Sequence, residues 1–125
     1  MNDEATHPEE TIDYPGATGD MAERPRDEMR DYRGRDLLAG RRALITGGDS
    51  GIGRAAAVAF AKEGADVAIA CLSTSEDEDA QHTVDLIRAE GRDAVAIRGD
   101  LAEPERCRSA VDRTVAKFGG LDLLV

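Results

Sequence analysis

The chain has 125 residues, 34% of them charged, a net charge of −10 and two cysteines. That length suits one domain of ~100–150 residues. The acidity argues against a nucleic-acid-binding surface, and Cys71 and Cys107 make no disulfide framework and fit a reduced cytoplasm. No apolar run approaches the ~20 residues of a membrane span, and the N-terminus shows no basic-then-apolar signal, so a cytoplasmic location is expected.

Residues 1–36 carry eleven acidic side chains against five arginines, a net of −6, with Ile12 the only branched aliphatic residue. Such a segment cannot bury enough apolar surface to offset roughly 1–2 kcal/mol per residue of backbone ordering entropy. It is expected to be a disordered acidic tail. The functional alternative is a docking arm anchored by Tyr14 or Tyr32.

From Leu37 the pattern becomes regular, and residues 37–125 are expected to form the folded unit. Arg42–Thr46 reads as a short buried strand. Gly51–Glu63 reads as a helix with Ile52, Ala56, Ala59 and Phe60 on one face, stopped at Gly64 by a left-handed cap. Asp66–Leu72 is a second strand. Ser75 can cap a helix over Glu76–Glu90, whose Ala80, Val84 and Ile87 fall at helical spacing, and Gly91 ends it. Ala94–Arg98 reads as a third strand and Pro104–Phe118 as a helix with Cys107, Val111, Val115 and Phe118 aligned. Gly119-Gly120 then turns into Leu121–Val125, a fourth strand. Strands alternating with helices of this length call for parallel βαβ units. Near-continuous apolar strands suit a sheet covered on both faces.

Gly47, Gly51 and Gly53 stand at the junction of the first strand and first helix. The first allows a tight turn out of the strand. The later ones let backbone N–H groups approach a pyrophosphate at the positive end of the helix dipole, and Gly53 also lets the helix pack close to the sheet. The spacing is Gly-x3-Gly-x-Gly rather than the generic Gly-x-Gly-x-x-Gly. Its placement between strand and helix within one βαβ unit nevertheless points to dinucleotide binding.

"TGGDSGIG" (Thr46–Gly53) resembles the Thr-Gly-x-x-x-Gly-x-Gly cofactor motif of the short-chain dehydrogenase/reductase family. "GDL" (Gly99–Leu101) looks like the acidic motif that supports the adenine in that family. "GGLDLLV" (Gly119–Val125) looks like the strand leading into its Asn-Asn-Ala-Gly motif. The run from Leu38 to Leu72, preceded by a polar stretch ending in "YRG", is similar to the bacterial general-stress branch of oxidoreductases. The resemblance covers residues 32–125. It implies a Rossmann-type doubly wound parallel α/β sheet, of which the first four strands are present in the order 3-2-1-4.

The resemblance further implies that Gly47, Asp49, Ser50, Gly51, Ile52 and Gly53 line the pyrophosphate and ribose, and that Asp100 and Leu101 flank the adenine. The end of the second strand chooses the cofactor, because a carboxylate there accepts from the ribose 2′-OH and repels a 2′-phosphate. Here that position is Cys71, followed by Leu72, Ser73 and Thr74. No acid stands there to repel phosphate, and the hydroxyls could donate to it. No arginine clamps it, however, and Glu76–Asp79 adds negative charge. NADP is favoured, with NAD as the alternative.

The implied reaction is hydride transfer between NAD(P)H and a small carbonyl or alcohol substrate, in a full-length protein that assembles as a homo-oligomer, a tetramer. That chemistry rests on a Tyr-x-x-x-Lys pair with a serine, the tyrosine acting as general acid/base. Tyr14 is followed at the fourth position by Thr18 and Tyr32 by Asp36, and the only lysines are Lys62 and Lys117. No catalytic residues are therefore assigned. The chain is expected to be the N-terminal part of a longer oxidoreductase whose catalytic half is missing, truncated at Val125. The alternative is a non-catalytic dinucleotide-binding module or an inactive remnant. His7 and His82 have no second ligand nearby in the pattern, so no metal site is expected.

Overall fold

The computed structural model describes residues 26–72 and 77–125. Strand and helix alternate in the order β1 (Arg42–Thr46), α1 (Gly51–Lys62), β2 (Asp66–Cys71), α2 (Asp77–Ala89), β3 (Ala94–Arg98), α3 (Pro104–Phe118) and β4 (Leu123–Leu124). β1, β3 and α3 have the limits read from the sequence, while β4 pairs over a shorter stretch than the expected 121–125. Gly64 (φ 100°) follows the end of α1 and Gly91 (φ 81°) that of α2, both in the left-handed region where a side chain would be strained.

The four strands form one parallel sheet in the order β3-β2-β1-β4, the order expected. Leu44 faces Ala68 across β1 and β2, Ile69 faces Ala96 across β2 and β3, and Leu44 faces Leu124 across β1 and β4. Alternate strand residues serve two cores. Ile45, Val67, Ile69 and Cys71 pack with Ala57 and Ala61 of α1 and with Ala80, Val84 and Ile87 of α2. Leu44, Ala68, Ala70 and Ile97 pack on the opposite face with Ala110 of α3. Both faces are covered, which is why the strands read as unbroken apolar runs. Val84 and Ile87 of α2, at ~1.5–3 kcal/mol for each buried aliphatic side chain, hold it in place by packing, with Ala80 beside them.

Two helix faces agree with expectation only in part: Ala56 and Phe60 of α1 and Val111 and Phe118 of α3 pack against the cores. The buried face of α1 is Arg54, Ala57, Val58 and Ala61, whereas Ile52 is 91% exposed. In α3 the buried residues are Ala110 and Thr114; Cys107 is exposed and Val115 is 41% exposed. Small residues lie on several sides of both helices, so apolar spacing alone did not orient them.

The expectation of a solvated tail through residue 36 does not hold for residues 26–36, which lie against the folded unit. Asp27 is buried. Glu28 bonds His82 of α2 at 2.7 Å. Tyr32 donates its hydroxyl to Glu63, which also accepts the N–H groups of Arg35 and Leu37 at 2.7 and 3.1 Å. The segment thus straps α1, touching Gly51 at its start and Glu63 at its end. The expectations for residues 1–25, Tyr14 and His7 among them, lie outside the described residues.

Candidate functional site

Because every strand is parallel, the ends of β1, β2 and β3 at Thr46, Cys71 and Arg98 share one edge of the sheet. The ladder continues one residue past them. Gly47 donates its N–H to the Ala70 carbonyl at 2.8 Å, and Gly99 donates to the Cys71 carbonyl at 3.0 Å. The glycine loop and the Gly99–Leu101 turn are therefore brought to the same edge.

The four motif glycines do different work. Gly47 (φ 68°) and Gly51 (φ 57°) need the left-handed region, and a Cβ on either would meet nothing within 4 Å. They face open space. A Cβ on Gly53 would stand 2.0 Å from the carbonyl oxygen of Gly47, and one on Gly48 would stand 2.4 Å from Cγ2 of Ile69. Gly53 thus brings α1 close to its own entry loop, where close packing on the sheet was expected. Gly48, which the sequence pattern did not single out, is what seats the loop over β2.

Ser50 occupies the N-cap position of α1 in extended conformation but makes no side-chain cap bond. The Gly51 N–H instead donates to the Asp27 carboxylate at 3.0 Å. Among the described residues no acceptor meets the amides of Ile52 and Gly53. Two N–H groups at the positive end of a helix, beside a loop with room over Gly47 and Gly51, form a seat for an anion.

Below the loop lies Arg54, 1% exposed. Its Nε donates to Oγ1 of Thr83 at 2.9 Å. Its Nη2 donates to the carbonyls of Asp49 at 2.6 Å and Asp79 at 2.9 Å. The carboxylates of Asp27 and Asp79 each stand 3.6 Å from the guanidinium. A buried charge is tolerated only when paired and hydrogen-bonded, and here one arginine ties the strap, the glycine loop and α2 together. Asp49 is buried and contributes its backbone carbonyl to this network.

At the end of β2, Cys71 is buried with its Sγ 3.7 Å from the Ile97 carbonyl, a small strand residue as the pattern suggests. Leu72 is half-buried, and Ser73 lies outside the described residues. Asp100 is exposed; its Oδ1 accepts the Ala102 N–H at 2.9 Å and shapes the turn into α3. Leu101 packs against the α3-side core. The lysines are elsewhere: Lys62, at the far end of α1, pairs with Glu90 at 3.4 Å, and Lys117, late in α3, lies 3.7 Å from Asp93. Tyr32 is also at the far end of α1, its phenol held above its ordinary pKa by the Glu63 carboxylate.

Residues 41–125 match the family model described as short chain dehydrogenase. The chain belongs to the short-chain dehydrogenase family. It is 51% identical over 111 residues to general stress protein 39 of Bacillus subtilis, covering 89% of this chain and 38% of that protein. It is 40% identical over 115 residues to NADPH-dependent aldehyde reductase 1, chloroplastic, of Arabidopsis thaliana, covering 89% and 40%. A crystal structure of a short-chain dehydrogenase from Burkholderia cenocepacia in complex with NADP superimposes with a TM-score of 0.63 at 52% identity, over 70% of this chain and 35% of that one. The chain thus spans about two-fifths of the length of these short-chain dehydrogenase relatives.

Two residues at this short-chain dehydrogenase loop were not legible in the sequence. Asp27 is one acid in a strongly acidic stretch, with nothing local to mark it. Arg54 follows the motif directly, and its position one turn into an alanine-rich helix was the available clue to a buried cation.

Proposed function

We propose that the chain is the dinucleotide-binding part of an NAD(P)-dependent oxidoreductase that moves a hydride between NAD(P)H and a small carbonyl or alcohol. One observation carries this reading. The amides of Ile52 and Gly53 have no acceptor among the described residues and sit at the positive end of α1, beside open space at Gly47 and Gly51. A pyrophosphate supplies the missing acceptors and the negative charge that such a helix end favours.

In this reading Gly47, Asp49, Ser50, Gly51, Ile52 and Gly53 hold the pyrophosphate and adjoining ribose, Leu72 and Ser73 flank the adenosine ribose, and Asp100 and Leu101 border the adenine. NADP is the preferred form, since neither Cys71 nor Leu72 offers a carboxylate against a 2′-phosphate. The Burkholderia structure with NADP and the NADPH-dependent Arabidopsis reductase support that choice. The bound nicotinamide supplies the hydride, while this chain's residues bind and orient the nucleotide. The whole protein is proposed to act in the cytoplasm as a homotetramer.

A second reading is a non-catalytic dinucleotide-binding module. Calorimetric titration with NADPH and NADH tests the shared element of both readings. Binding is expected, tighter for NADPH, and lost in Gly51→Val, whose branched side chain enters the open space over the loop. A folded Gly51→Val chain that binds as well as the parent refutes the assignment.

A further inference from the structure

The strap meets the glycine loop at one point, and the geometry there goes beyond nucleotide contact. Asp27 is the N-cap acceptor that Ser50 fails to be. It lies 24 residues upstream of Gly51, is 5% exposed, and takes the first N–H of α1 at 3.0 Å. A Cβ on Gly51 would meet nothing within 4 Å, Asp27 included. The Asp27 charge faces Arg54, which in turn grips the Asp49 carbonyl inside the loop. Two groups thus fix the backbone on either side of Ser50: Arg54 holds Asp49 and Asp27 holds Gly51. The next two amides, of Ile52 and Gly53, are left for an incoming acceptor.

We propose that Asp27 and Arg54 are positioning residues for the dinucleotide, with the N-terminal strap holding the glycine loop in its binding conformation. The inference rests on the dinucleotide reading of the loop. It makes residues 26–36 part of the cofactor site's support, so nucleotide affinity depends on a segment that does not touch the nucleotide. The opposing arrangement, a carboxylate competing with pyrophosphate for the helix end, predicts the opposite sign.

The test titrates NADPH into the parent chain, Asp27→Ala and Asp27→Asn, and follows hydrogen exchange at Gly51, Ile52 and Gly53 without nucleotide. Asp27→Ala is expected to bind about tenfold more weakly, the scale of one lost N-cap contact, and to exchange faster at Gly51. Asp27→Asn keeps an oxygen for the Gly51 N–H and is expected to recover most of the affinity and protection, which general destabilisation would not produce. Affinity in Asp27→Ala that equals or exceeds the parent's overturns the proposal. If the parent binds neither NADPH nor NADH, the dinucleotide reading itself fails. Loop positioning is then judged by exchange alone, and unaccelerated exchange in Asp27→Ala overturns it.

Discussion

Gly53 lies so close to Gly47 that a Cβ on the former would stand 2.0 Å from the carbonyl oxygen of the latter. The obstacle is backbone, and backbone in a tight strand-to-helix turn cannot yield as a flexible side chain can. Gly53→Ala is expected to destabilise the chain by ~1–3 kcal/mol, the range for overpacked sites, and to distort the seat for the nucleotide. Gly47→Ala has open space around it and incurs only the left-handed strain of roughly 1–2 kcal/mol. Urea unfolding should rank Gly53→Ala as the less stable of the two and calorimetry as the weaker binder. The reverse order would mean that the loop does not pack on α1 in this way.

Arg54 provides a second test. Replacing it with methionine keeps much of the volume but leaves the carboxylates of Asp27 and Asp79 and the Asp49 carbonyl without their common donor. Removing one partner of a buried ion pair typically costs ~3–5 kcal/mol, because a buried charge loses its counter-ion. Arg54→Met is expected to lose stability on that scale in a denaturant titration. A loss no larger than an exposed pair's would show that water reaches these groups and that the network is not buried in solution.

The sheet was readable because its determinants are local. Strand apolarity, helix length and the glycines at each turn pointed to parallel βαβ units, and the resemblance to the short-chain dehydrogenase/reductase family supplied the order 3-2-1-4. The glycine loop was marked by its place between strand and helix, whereas Asp100 was singled out only by the resemblance of "GDL" to a family motif; parallel strands bring both to one edge. The buried face of α1 was not, because alanines at 55, 56, 57, 59 and 61 give almost no periodic contrast and the decisive buried residue, Arg54, is charged. The contact of Asp27 with Gly51 was out of reach altogether. It joins residues 24 apart through a single carboxylate, and no spacing rule distinguishes that acid from its neighbours.

Turnover tests whether this chain carries an acid/base function by itself. Lys62 and Lys117 are paired with Glu90 and Asp93, and Tyr32 is bonded to Glu63, so the Tyr–Lys acid/base pair has no counterpart among the described residues. Purified chain is expected to show no carbonyl reduction with NADPH or NADH, monitored as loss of nicotinamide absorbance over a panel of aldehydes and ketones. Turnover that survives both Cys71→Ser and Cys107→Ser would place an acid/base function on other side chains of this protein and reject the binding-module reading.

The strap should respond to pH in a direction its contacts dictate. The Glu63 carboxylate accepts the Tyr32 hydroxyl and the Arg35 and Leu37 N–H groups, which hold its pKa below the usual carboxylate range. Glu28 is lowered likewise, first by its bond to His82 and then by Arg30. A lowered folded pKa contributes stability that is present above the unfolded value and is lost as pH falls through the folded one. Tyr32 has the opposite sense: its raised pKa contributes stability below the ordinary phenol range, lost as pH rises through the raised value. The strap is therefore expected to stay docked across neutral pH and to release in acid, with its midpoint below the ordinary glutamate range. Amide resonances of Arg35 and Leu37 followed by NMR report it directly. Glu63→Gln should flatten that acid transition, because the amide does not titrate. An acid midpoint at the ordinary glutamate value, unchanged in Glu63→Gln, would show that Glu63 does not hold the strap.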